Sequence, residues 1–252
     1  MRGVEIWRSG GVHSPVEGVS VPGVICLGYQ ALSAWQLGEI ESCRATVDEA
    51  ISLAKKLNDM HGLAGVLAVA GMLGCLKRDA AEVDRVASDL IELSTRHLFA
   101  QWLVAGQVFR GWSRSVTGET AQGISWIQAG IEGWRAPGTT LNLPFALGLK
   151  AEALHLADRT SEALEAITEA EALVARTEER WWCAELHRLR GVFLATMGAE
   201  EAQIEASFSE AIRIAKEQKS VSLEKRAEAT YAEYRRQKAS GLEGRGFRLP
   251  LW

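Results

Sequence analysis

Few side chains in this chain of 252 residues are spaced so that they could do chemistry together. Ser9 and Ser14 flank His13, which puts a hydroxyl nucleophile close in sequence to a base. His187 stands two positions after Glu185, and Glu178-Glu179 is a pair of adjacent carboxylates. Acyl transfer needs a nucleophile elbow or a complete triad around its serine, and neither pattern is present. Two carboxylates working as acid and base must face one substrate, whereas neighbours on a helix diverge by about 100°. Glu178-Glu179 therefore reads as a solvated helix end. The histidines form no HxH, HxxxH or HExxH, and Cys26, Cys43, Cys75 and Cys183 form no CxxC, so local spacing builds no metal site. No GxxxxGKS or GxxxxGKT loop is there to cradle a phosphate. The chain reads as non-enzymatic, with neither cofactor nor metal.

Composition narrows the partners. Hydrophobic residues make up 47% of the chain and charged residues 24%, enough apolar side chain for a packed interior. Basic residues number 28 against 32 acidic ones, so no overall polycation is available to coat nucleic acid. No uninterrupted apolar run approaches the ~20 residues that cross a bilayer. Met1 to Ser20 lack the basic start and apolar core of a secretory signal. Four scattered cysteines suit buried thiols in a reducing compartment. The expectation is a cytoplasmic chain with no membrane partner and no nucleic-acid partner.

What must position the remaining candidates is a repeat. Small residues recur at Ala31, Gly71, Gly111, Ala151 and Gly191, each 40 positions after the last. Twelve positions after the first four stand Cys43, Val83, Gly123 and Ala163, and nineteen after them Ala50, Leu90, Gly130 and Ala170. In the fifth unit the marks are Ile204 and Ala211, one residue late, which places an inserted residue near Ala199 to Ala202. Each unit reads as two helices, since no proline interrupts residues 24–135 and alanine, leucine and glutamate abound. Trp182, Leu186, Leu189, Phe193 and Met197 form one apolar stripe. Gly38, Gly118 and Gly198 mark turns within units, with Arg78 and Asp158 in the matching places, and Pro137 and Pro144 bracket a loop. Glycine inside a helix costs about 1 kcal/mol against alanine, so Gly71, Gly111 and Gly191 imply a close helix contact.

This spacing resembles the tetratricopeptide repeat, whose period is shorter and whose closing proline is missing here. Glu179 to Gly191, together with Arg110-Gly111-Trp112, Gly123-Ile124 and Lys150 to Leu154, is similar to a subgroup of that family. The subgroup is the helical-repeat region at the C-terminal end of bacterial adenylate/guanylate cyclase–ATPase signalling proteins. The resemblance covers about Val24 to Lys238. It implies an all-α, right-handed solenoid of five helix pairs plus a C-terminal capping helix: an irregular segment over 1–21, the solenoid over 22–239 and a flexible basic tail over 240–252. It also implies a concave groove lined by first helices, at the residue after each small one and three further on. That rule, with Arg188 one turn earlier in its helix, selects Trp35, Met72, Trp112, Glu152, His155 and Arg188. Trp35 and Trp112 would anchor an apolar or amphipathic protein segment, while Glu152, His155 and Arg188 would orient it. Both tryptophans filling helix junctions is the competing reading.

The functional expectation is a protein-binding scaffold, the sensing or regulatory repeat region of such a signalling protein, with ATPase and cyclase domains supplied in cis or in trans. Two alternatives stand beside it: a small-ligand sensor using the aromatic groove, and a fragment of a nucleotide cyclase. Residues 212–248 hold ten Lys/Arg against five Asp/Glu, so the end of the chain is locally basic. Its apolar stretch from Phe247 to Trp252 could fray, dock back on the repeats or meet another subunit.

Overall fold

The computed structural model describes residues 21–251; Ser9, His13 and Ser14 lie outside the described residues, as does all but Val21 of the segment expected to be irregular. Eleven α-helices and no strand occur among the described residues. They are α1 (Pro22–Gln36), α2 (Ile40–Lys56), α3 (Met60–Lys77), α4 (Ala80–His97), α5 (Ala100–Val116), α6 (Thr120–Arg135), α7 (Leu143–Leu156), α8 (Thr160–Thr177), α9 (Cys183–Met197), α10 (Glu201–Glu217) and α11 (Val221–Ala239). A single 3-10 turn, Gly244–Gly246, follows. The chain divides into two compact units between Ser113 and Arg114, inside α5.

The helices stop on a fixed stride. Positive φ falls at Gly38, Asn58, Arg78, Leu98, Gly118, Gly138, Asp158, Glu178 and Gly198, each twenty residues after the last, and then at Lys219. The forty-residue period is thus two helix lengths, and the inserted residue shifts the final stop by one. At most of these stops the next amide reaches back five residues, as in Glu39 N to Ala34 O at 2.9 Å and Ala199 N to Leu194 O at 3.0 Å. That bond satisfies a carbonyl the helix end would otherwise strand, and it requires the left-handed residue between. Glycine takes that conformation freely at Gly118 and Gly198, whereas Arg78 and Leu98 carry a Cβ penalty.

In the first unit α1 pairs with α2 and α3 with α4, α2 packs on α3, and α1 also lies against α3. α3 is long and apolar enough to span a bilayer, yet 78% of it is buried in this packing, which explains its composition as that of an interior helix. In the second unit α7 pairs with α8 and α9 with α10, with α6 and α11 at either end of the sequence of contacts. The alternate helices α7, α9 and α11 touch in succession. Within each unit this is the packing of a helical repeat: each hairpin buries its apolar stripe on the next one. Ala31, Cys43, Ala50, Val83, Leu90, Ala151, Ala163, Ala170, Ile204 and Ala211 are all buried, so the periodic positions are core positions. Met197 departs from the expected stripe and is 51% exposed, because the helix ends there.

The small residues do mark close contacts. A Cβ on Gly191 would stand 2.8 Å from the ring of Phe208 on α10, the hairpin partner. At Gly71 the ring is Phe109 of α5, 2.6 Å away, so this glycine receives the first helix of the next repeat rather than its own hairpin partner. Acidic residues ahead of first helices tie the hairpins further. Asp59 caps α3 by accepting from Gly62 N at 2.7 Å, and its other oxygen accepts from Val21 N ahead of α1 at 2.7 Å. Glu179, 120 positions later, accepts from Asn142 N ahead of α7 at 3.0 Å and from the Trp181 indole at 3.0 Å.

Candidate functional site

The six residues selected for a groove fall three to each unit. In the first unit Trp35 is 3% exposed, Met72 7% and Trp112 not at all, and the Arg78 guanidinium lies 5.8 Å from the Trp112 ring centre. These side chains pack the interior as the chain stands. In the second unit Glu152 and Arg188 are buried and His155 is half-buried. The structure brings His155 and Arg188 to one place, beside residues 249–251.

Arg188 is the centre of that place. A fully buried guanidinium is tolerated only when paired and hydrogen-bonded throughout. Its Nε and Nη2 donate to Glu185 Oε2 and Oε1 at 2.9 and 2.7 Å, the i, i+3 spacing on α9 placing the two side chains on one face. Nη1 donates to Thr230 Oγ1 of α11 at 3.2 Å and to the Pro250 carbonyl at 3.0 Å, and Nη2 donates to the Leu251 carbonyl at 2.6 Å. Those five bonds match the five N–H donors of arginine. Arg226 Nη1 donates to Glu185 Oε1 at 3.3 Å, so two cations share one carboxylate.

Residues 247–251 lie against this face, the docked arrangement that was one of the options for the apolar end. The Phe247 ring lies 5.1 Å from that of Tyr234 in a tilted arrangement, and Phe247 and Leu251 are buried. Gln237 of α11 clasps the Arg248 main chain from both sides: its Nε2 donates to the carbonyl at 3.0 Å, and its Oε1 accepts from the amide at 2.7 Å. Phe247 and Leu251 thus supply apolar burial while buried polar groups satisfy the backbone between them. A cavity of about 840 Å³ adjoins the segment, walled by His155, Arg159, Thr160 and Met197. His155 rests on the Phe193 ring at 4.9 Å, its Nδ1 lies 3.0 Å from Thr160 Oγ1, and burial lowers its pKa.

Other candidates resolve differently. Glu185 serves Arg188, and His187 turns to Glu171 on α8, its Nδ1 3.8 Å from Oε1, with burial lowering its pKa. Glu178 is a helix stop, while half-buried Glu179 holds Asn142 and Trp181 and has its carboxyl pKa raised by burial. Among the described residues no group of three His, Cys, Asp or Glu is placed to hold a metal ion. Sequence reading missed Glu185, Thr230, Arg226 and Gln237 as a set. The available signal was Arg226 at 41 positions after Glu185, one repeat plus the inserted residue.

No family model matches the chain. It is 27% identical over 201 residues to the uncharacterized protein R02095 of Rhizobium meliloti (strain 1021). The match takes in 80% of this chain and 20% of that protein, so the chain spans about a fifth of this relative's length. The crystal structure of the apo form of RapI superposes with a TM-score of 0.59 at 12% identity, covering 94% of this chain and 91% of RapI. That likeness shows a helical-repeat fold.

Proposed function

We propose that the chain is a non-enzymatic, protein-binding scaffold acting in the cytoplasm as the regulatory repeat region of a bacterial cyclase–ATPase-type signalling system. In this reading the helices form a right-handed solenoid of five pairs closed by α11, with the first helices inward. The observation that carries it is the way α9 and α11 grip residues 247–251: extended backbone recognised by buried side chains is how a protein partner is bound. Arg188 and His155 act at that surface directly. Trp35, Met72 and Trp112 pack the interior of the first unit, and Glu152 is buried on α7 in the second. That the matching region is about a fifth of a much longer relative supports regulation of attached or associated domains.

A photo-crosslinking residue placed at Met197 or Arg159, on the cavity wall, should trap a protein in cells of the source organism. Identification of an ATPase- or cyclase-bearing protein in the adduct supports the signalling role. If neither position yields a protein adduct, while metabolites alter tryptophan fluorescence, the small-ligand reading replaces this one.

A further inference from the structure

We infer that residues 247–251 are an internal, displaceable ligand of the α9–α11 face. The partner of that face is then an extended peptide presenting an aromatic residue and, four positions on, an aliphatic one. This rests on the reading of the chain as a protein-binding module and names what the module grips.

Four hydrogen bonds from α9 and α11 end on the segment's main chain: Arg188 to the carbonyls of Pro250 and Leu251, and Gln237 to the carbonyl and amide of Arg248. Such bonds accept any extended backbone in the right register. Phe247 and Leu251 are the two buried positions of the segment and carry its apolar selectivity. The segment has no secondary structure of its own and joins α11 through Gly241, Gly244 and Gly246, two of them at positive φ. A glycine-rich joint of this kind lets the segment leave without disturbing α11.

The face beneath keeps its order without the segment. Three of the Arg188 donors stay engaged by Glu185 and Thr230, which hold the guanidinium in place. The other two point at whatever carbonyl or carboxylate arrives. The adjoining cavity gives an incoming peptide a foothold beside residues 249–251 before exchange is complete.

The test uses the full chain and a synthetic peptide of residues 244–252, followed by hydrogen exchange. A tethered segment competes at an effective concentration of about 1 mM, so peptide at a few times that level should speed exchange of the Phe247 and Arg248 amides about tenfold or more. α9 and α11 should stay protected, and a peptide carrying both Phe247→Ala and Leu251→Ala should have no effect. Gln237→Leu in the full chain should by itself speed the same amides, with helix protection unchanged. The inference is overturned if the peptide leaves those amides unmoved, if the double-alanine peptide works equally well, or if exchange of α9 and α11 rises in step with the segment. These outcomes are independent of whether Met197 crosslinks to a partner, so a failed displacement and a failed scaffold reading give different results.

Discussion

At the scale of single residues, charge burial and close packing set the sensitive positions. Arg188→Met would take from buried Glu185 its bidentate partner and would strip two carbonyls of their donor. Breaking a buried ion pair from one side costs about 3–5 kcal/mol, and chemical denaturation should show a loss of that order. Arg188→Lys keeps the charge without the fork, so it should recover only part of the loss. Gly191→Ala tests packing rather than charge. Its new Cβ would sit within 3 Å of three Phe208 ring atoms, and overpacking of this kind costs about 1–3 kcal/mol. An unchanged unfolding midpoint would mean that α9 and α10 do not meet there. These two sites differ in how far the sequence announced them. Gly191 was marked by a helix-breaking residue recurring in register. Arg188 was selected as a groove residue, but its partners could not be read, because Thr230 and Leu251 reach it from 42 and 63 positions away.

At the scale of the element, what matters is how each helix stops and how its start is tied back. Leu98 closes α4 in the left-handed conformation with 88% of its surface exposed, so its side chain contributes little packing to offset the backbone cost. Leu98→Gly should stabilise the chain by about 0.5–1 kcal/mol, the relief of the Cβ clash less glycine's greater freedom when unfolded. A lower melting temperature for that variant would contradict the assignment. Asp59→Ala should act oppositely, removing the α3 cap and the acceptor for Val21 N, at a cost of about 1–2 kcal/mol. The turns were legible where glycine marks them, at Gly38, Gly118 and Gly198, and through Arg78 and Asp158 by register. The full twenty-residue rhythm was not, because Leu98, Glu178 and Lys219 are types that do not advertise a left-handed stop. The acidic ties were hidden for a related reason. Glu179 looks like half of an exposed pair until the helix starts it joins are seen side by side.

At the scale of the whole molecule, the all-helical repeat was legible because one packing problem is solved again and again, and a constant stride survives changes in residue type. The docked segment was not legible, since a single glycine-rich, basic stretch has no second copy to set its register. The described histidines add a property of the chain as a whole. His155 and His187 both lie below the ordinary imidazole pKa in the folded chain, chiefly because burial disfavours the charged ring. The unfolded chain therefore takes up these protons at a higher pH than the folded chain does. Stability present above the unfolded histidine value of about 6.5 is lost as pH falls toward the lowered folded values. Carboxylates with ordinary values titrate lower, whereas Glu179, raised by burial, acts in the opposite sense, so the histidine contribution over about pH 7 to 5.5 is the part that the histidine variants remove. The urea midpoint should fall across that interval, and the double variant His155→Gln, His187→Gln should flatten the dependence. If the midpoint instead rose on acidification, both rings would be charged within the fold, and the apolar seat of His155 on Phe193 could not be as placed.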